Sequence, residues 1–388
     1  MIKRDVALTK ALFFLFGVGI MAWVPRFPEL KAHLGVGNGA FGSMLSMGAF
    51  GSLIALLTVG HLVDHFGSKK VLYVGATLLL VAYISVVNVT NHEAFILLNM
   101  LAGFSVSTMH ISNNAQAFAD QDRGGKNLVV SAAGYWSAGS LLSTLLSMYL
   151  IGKVSLQLHI AVMYSILCVL TIGVIYYRRD TLIPPNRHPS VAMSILKDIR
   201  RFNFDSLVNF GMIFGIMLEF SIGDWSTIFT KENGGISESL APLPFMMFTI
   251  FMIVGRVSIT PLRKRFPIAK LVTFGGILAG TSFLIGVWGI HKFGMAGLLI
   301  AFGLAGLGSS YIGPSFLNIA NSRMDLPSSI VVGQISAVNV VLSWILKQIV
   351  AFLAQIAGLQ IALTLPAIMA ILVGLFTGVF KARSAPAK

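Results

Sequence analysis

The chain is patterned as a succession of apolar runs of about 20 residues, each long enough to cross roughly 30 Å of hydrocarbon as a helix, separated by short polar connectors. The pattern predicts twelve helical spans, at 8–31, 39–60, 71–90, 95–118, 128–150, 157–177, 206–231, 241–262, 269–290, 294–318, 329–353 and 359–380. They are called spans 1 to 12 below. One connector is long: residues 178–205 carry Pro184, Pro185 and Pro189 and separate six spans from six. The expected organisation is therefore a first six-helix bundle over 1–177, a linker over 178–205 and a second six-helix bundle over 206–388, an all-α membrane protein. In the linker, Val191, Ile195, Ile199 and Phe202 recur at helical spacing while Lys197, Arg200 and Arg201 fall largely opposite. This is the pattern of a basic helix lying on the cytoplasmic leaflet; Asp198 beside the apolar stripe fits a solvated linker instead.

Composition removes the soluble alternatives. Of 388 residues 56% are hydrophobic and 11% charged, against about 25% charged in a soluble domain. The 39 glycines follow no three-residue period, which excludes a collagen-like chain. The single Cys168 forms no internal disulfide, and no Cys or His cluster has zinc-ligand spacing, so neither a metal nor another cofactor is expected. The basic segment Met1–Lys10 precedes an apolar run without a small-residue cleavage site, and the first span is expected to stay in the mature protein.

The net charge of +14 would suggest nucleic acid in a soluble protein, but here the basic residues lie in alternate loops. Lys31, Lys153, Lys231 and Lys292 stand on one side, Arg26, Arg256 and Lys347 within spans, and the rest of the 28 Lys and Arg on the side of both termini. Cytoplasmic loops keep positive charge. Both termini are therefore expected in the cytoplasm of a multi-pass plasma (inner) membrane protein, with the lipid bilayer and no nucleic acid as partner.

The connector between spans 2 and 3 reads Gly60-His61-Leu62-Val63-Asp64-His65-Phe66-Gly67-Ser68-Lys69-Lys70. It resembles the loop motif of the major facilitator superfamily, G-x-L-x-D-x-x-G-[RK]-[RK]-x, through Gly60, Leu62, Asp64, Gly67, Lys69 and Lys70. Ser68 stands where a basic residue is usual, and His65 where Arg or Lys is usual. Gly60 is expected to allow close helix approach, Gly67 a tight turn, and Asp64 to accept hydrogen bonds from a neighbouring helix N-terminus. At an offset near 200 residues, Thr260, Lys264, Phe266, Pro267 and Lys270 fall opposite Gly60, Asp64, Phe66, Gly67 and Lys70; this second copy is degenerate but keeps Gly255-Arg256 and Arg263-Lys264-Arg265. The resemblance implies a major facilitator fold, a monomeric secondary transporter that works by alternating access, and a gating rather than substrate-binding role for Asp64 and the loop, with Arg256 grouped to its second copy.

Ionisable groups at bilayer depth cost at least about 2.5 to 3.5 kcal/mol, so each is a candidate site. Glu219, near the middle of span 7, is the first candidate proton carrier, or else a structural hydrogen-bond partner. Asp224 follows on another face, about 7 Å nearer the outside, and is a second coupling candidate. On span 11, Ser336, Asn339, Ser343 and Lys347 share one face; Lys347 either pairs with Asp224, flanks a bound anion, or snorkels to the interface. Span 4 offers Ser107, His110, Asn113 and Asn114, either as ligand contacts or as interhelical hydrogen-bonding groups. Tyr135 and Trp136 in span 5, Trp23 and Arg26 in span 1, and Tyr311 and Asn318 in span 10 complete the expected lining, on spans that form the cavity in the resembling family. Arg26 also has Glu29 at i+3, the spacing of a simple ion pair. Gly39, Gly42, Gly48 and Gly51 in span 2 read as close-packing positions.

No phosphate loop, G-x-S-x-G elbow or HExxH motif occurs, so neither ATP-driven transport nor an enzyme is expected. The candidate binding set is His110, Asn113, Asn114, Tyr135, Trp136, Asn318, Asn339 and Lys347, for a small polar or anionic solute moved with protons. Span 4 and the Glu219…Asp224-Trp225 pattern look like bacterial members grouped loosely with sugar permeases. Two alternatives stand beside this: an exporter of hydrophobic or drug-like compounds, which 28 Phe and 17 Met favour although span 5 lacks the family's antiporter motif, and a receptor that keeps the fold without transporting.

Overall fold

The structure is a computed structural model; it describes residues 2–124, 128–178, 181–185, 205–323 and 328–380. Every regular element among them is a helix. The chain divides into two compact units, Met1–Phe202 and Asn203–Lys388. The basic helix expected at Ser190–Phe204 lies outside the described residues.

In the first unit the spans run Lys3–Leu34, Asn38–Phe66, Ser68–Val86, His92–Asp122, Leu128–Leu150 and Leu156–Tyr177. The helices of spans 1, 2 and 4 overrun the apolar runs that announce them, because helical hydrogen bonding continues past the first charged residue, whereas span 3 ends at Val86, short of its run, and spans 5 and 6 keep their predicted bounds to within a residue. Span 1 breaks after Met21 into a short 3-10 turn, Val24–Arg26, and resumes at Phe27. Pro25 and Pro28 explain the break, since neither offers an N–H to the preceding turn. Span 2 breaks at Met47, and there the Asn99 side chain of span 4 donates to the carbonyls of Met44 at 3.1 Å and Leu45 at 2.7 Å. A carbonyl freed inside a bilayer must find such a donor.

The serines and glycines of span 5 let it lie tightly against span 1. A side chain at Gly17 would collide with the Trp136 carbonyl, and one at Gly139 with the Phe14 carbonyl. Ser140 donates to the Gly17 carbonyl at 3.3 Å and Ser147 to that of Ala22 at 2.8 Å. Spans 2 and 4 repeat the device with Gly51 under the Met100 carbonyl and Gly103 under that of Gly48. Small residues at these crossings let backbones approach where hydrocarbon supplies no hydrophobic drive. Gly60, by contrast, has no neighbour within 4 Å of an added Cβ among the described residues; the close approach expected of it belongs to Gly48 and Gly51.

The second unit runs Ser206–Glu232, Leu243–Arg263, Ile268–Trp288, Ile290–Ser309 continued by Ile312–Arg323, Ser328–Ile356, and Leu359–Leu372 continued as a 3-10 helix to Phe380. Span 10 thus reaches further at both ends than its apolar run, with a kink at Gly294, whose φ is 56°. Asp205 caps span 7 by accepting from Val208 N at 3.2 Å and pairs with Arg323 at 2.9 Å, so one carboxylate fixes the start of span 7 to the end of span 10. An N-cap of this kind is worth roughly 1 kcal/mol.

Candidate functional site

The second unit gathers its ionisable groups on span 7. Asp224 Oδ2 lies 2.7 Å from Lys347 Nζ of span 11, with the side chains 21% and 22% exposed. The ammonium also sits 5.2 Å from the centre of the Phe220 ring, one turn before Asp224. Of the readings open for Lys347, the structure takes the ion pair. Five residues earlier on span 7, Glu219 faces Arg256 of span 8 at 3.8 Å, a looser contact with side chains 32% and 41% exposed. Arg256 keeps further partners, donating to the Ser310 carbonyl at 3.2 Å and to Met252 Sδ at 3.4 Å. Arg256, grouped by sequence with the loop motif, therefore stands inside the span beside the candidate proton carrier.

Asn339 is buried and donates to Asn209 Oδ1 on span 7 at 3.0 Å and to its own Ile335 carbonyl. It ties spans 7 and 11 together. Asn318 is exposed. Tyr311 turns away from the others, its hydroxyl donating to the Leu271 carbonyl at 2.9 Å.

In the first unit His110 is exposed, 6.2 Å from the Phe16 ring, and Asn114 donates back to its carbonyl at 2.8 Å. Asn113 is buried, and among the described residues neither end of its amide has a partner. Tyr135 is exposed and faces Lys10, whose Nζ lies 5.3 Å from the ring centre; Trp136 packs on Phe13 and Ala132. Two expected lining residues are core instead. Trp23 packs edge-on against Phe27 and Tyr83, and Arg26 is buried by Glu29 at 2.6 Å and by the carbonyls of Val154 and Ser155. The i+3 pairing explains Arg26, and the loop carbonyls satisfy the rest of its guanidinium.

The loop motif is arranged around Gly67, which takes φ 80° to end span 2. Its N–H donates to the Val63 carbonyl at 2.9 Å. Asp64, Lys69 and Lys70 are exposed, and Asp64 has no ion pair or hydrogen bond among the described residues. The expectation that it accepts from a neighbouring helix N-terminus is not met within its unit. Ser68 is buried: its hydroxyl donates to Gln116 Oε1 at 2.9 Å and accepts from the Ile183 N–H at 3.0 Å.

Sequence reasoning missed the network behind Ser68. Gln116 Nε2 donates to Asp120 Oδ1 at 2.9 Å, Thr9 donates to Asp120 Oδ2 at 2.6 Å, and Arg178 grips both oxygens at 2.8 and 2.7 Å while also reaching Thr9. Spans 1, 3 and 4 and the segment after span 6 meet in this one buried cluster. A signal was present: Asn113, Gln116 and Asp120 fall at i, i+3 and i+7, one face of span 4.

The sequence model of the Major Facilitator Superfamily matches residues 11–346. The chain belongs to this family. It is a multi-pass secondary transporter of the alternating-access type. It is 22% identical over 360 residues to an MFS-type transporter of Yersinia pestis, covering 91% of this chain and 90% of the other. Among solved structures it is similar to the nucleoside transporter NupG, with a TM-score of 0.72 at 13% identity over 98% of this chain and all of that one. It is also similar to a D-xylose-proton symporter, with a TM-score of 0.70 at 14% identity over 97% and 96% of the two chains. At these identities the structural likeness shows the fold alone.

Proposed function

We propose that this transporter couples a small polar or anionic solute to protons, with Glu219 as the proton carrier and both termini in the cytoplasm. The observation that carries the reading is the pair of acid–base contacts on span 7, Glu219 with Arg256 and Asp224 with Lys347. Ionisable groups are kept inside membrane spans at a cost that a proton or solute pathway justifies. The Glu219–Arg256 contact is long enough to be given up when the carboxylate takes a proton, and Arg256 then keeps the Ser310 carbonyl. Lys347 offers an anionic solute a cation that Asp224 holds in its absence. The likeness to a D-xylose-proton symporter is in keeping with a proton-coupled solute, and the excess of Lys and Arg in alternate loops supports the orientation.

The test is proton movement into sealed proteoliposomes, read with a trapped pH dye while sugars, nucleosides, organic acids and amino acids are added in turn. A solute-specific proton flux in the native chain, lost in Glu219→Gln while solute binding persists, is the expected result. Solute uptake with an unchanged pH dependence in Glu219→Gln would overturn the assignment.

A further inference from the structure

We propose that the groove between spans 8 and 9 binds an acidic phospholipid, with one acyl chain along the groove and the headgroup phosphate on Lys270. The groove has a volume of about 670 Å³, within the range of small-molecule sites. Val254, Ser258 and Leu262 of span 8 form one wall and Lys270, Phe274 and Leu278 of span 9 the other. Each set is spaced i, i+4, i+8, so each is one helical stripe about 12 Å long. Gly308 and Tyr311 of span 10 lie between them.

The chemistry of the walls selects the ligand. Ser258 spends its hydroxyl on the Val254 carbonyl at 2.8 Å and Tyr311 on the Leu271 carbonyl. A polar solute therefore meets apolar surface along the whole stripe. Lys270 is the exception, at the end where span 8 finishes and span 9 begins, near Arg263, the last residue of span 8, and Lys264 and Arg265 on the connecting turn. All four are exposed, and among the described residues no carboxylate pairs with any of them. An uncharged hydrocarbon would leave this cluster unanswered, and a free anion would leave the groove empty. A diacyl phospholipid with a net negative headgroup answers both, and the bilayer supplies it at the correct depth. A basic residue near such a headgroup contributes about 1 kcal/mol.

The test uses the full-length chain in vesicles of phosphatidylcholine containing a trace of spin-labelled phosphatidylglycerol or spin-labelled phosphatidylcholine. The immobilised lipid fraction is measured for each label. The native chain is expected to hold phosphatidylglycerol preferentially. Lys270→Gln, an exposed change that leaves packing alone, lowers that preference about fivefold at this site. Ser258→Trp, which fills the groove but keeps the charge, removes it. Lys292→Gln, in the first turn of span 10 and beyond the far end of span 9, leaves it unchanged. Equal retention of the two lipids by the native chain, or a preference that survives both Lys270→Gln and Ser258→Trp, would overturn the proposal. So would an equal loss in Lys292→Gln, which would mark general surface charge.

Discussion

Arg178 and Asp120, 58 residues apart, meet through two hydrogen bonds of 2.8 and 2.7 Å at positions 0% and 3% exposed. The guanidinium is the first residue past the helix of span 6, and the carboxylate lies in the last turn of span 4. Thr9 and Gln116 supply the carboxylate with two more donors. A buried charge that loses its partner keeps its desolvation cost, so removing one member of such a pair costs about 3–5 kcal/mol. Arg178→Gln is expected to destabilise the protein by that order, and Arg178→Met with Asp120→Leu to recover much of it because neither charge is then left. Cys168 is buried and is the only cysteine, so its labelling by a thiol-reactive dye on heating reads the unfolding midpoint of each variant directly.

Ser68 departs from the family pattern for a reason the network supplies. It is buried and sits between Gln116 Oε1 and the Ile183 N–H. Ser68→Ala leaves the Ile183 N–H with Gln116 alone, at 3.1 Å, and should cost about 1 kcal/mol. Ser68→Lys restores the basic residue usual in the family and is expected to do more harm than the alanine, because it places an ammonium at a buried position where Gln116 and the Ile183 N–H are matched to a hydroxyl. The same dye assay ranks the two. A lysine variant as stable as the native chain would show that the position opens to water.

Apolar length was a good guide to the spans and a poor one to their ends. Cutting span 4 at residue 118 put Asp120 into a loop, where charges need no partner; span 6 does end at Tyr177, and Arg178 lies just beyond it. The helix of span 4 in fact runs to Asp122, and this alone turns a loop carboxylate into a buried one. Glu219 was legible because an isolated carboxylate amid apolar residues has no ordinary reason to be there; its partner was not, because Arg256, although placed within span 8, was grouped with the second copy of the loop motif rather than with span 7. Asp224 and Lys347 were legible as a pair because both lie in the C-terminal halves of their spans and carry opposite charge. Gly60 was misread because a motif glycine and a packing glycine look alike in sequence, whereas Gly51 is distinguished only by the Met100 carbonyl against it.

That carbonyl makes a sharp test of helix contact. A methyl at Gly51 or at Gly103 meets backbone of the neighbouring helix rather than the end of a flexible side chain, so spans 2 and 4 must separate to admit it. Overpacking of this kind costs about 1–3 kcal/mol. Gly51→Ala and Gly103→Ala should each lower the unfolding midpoint, whereas Gly60→Ala, with open space around it, should leave it unchanged or raise it slightly through reduced freedom of the unfolded chain. If Gly60→Ala is the most damaging of the three, the glycine serves a contact made in another conformation.

The Asp224–Lys347 pair gives a prediction whose sign separates substrate site from strut. If Lys347 receives an anionic solute, Asp224 competes for the same ammonium, and removing the carboxylate relieves the competition. The pair is about one-fifth exposed on each side, so its own strength is of the order of 0.5–1 kcal/mol. Asp224→Asn should therefore bind the solute roughly two- to fivefold more tightly, while Lys347→Gln weakens binding and Asp224→Asn with Lys347→Gln resembles Lys347→Gln alone. A strut behaves otherwise: either single neutralisation strands a charge and lowers stability, the double substitution restores it, and solute affinity follows neither. Equilibrium binding of the solute found in the proton-flux screen, measured beside the unfolding midpoint of the same variants, distinguishes the two. Tighter binding in Asp224→Asn at undiminished stability assigns the ammonium to the solute.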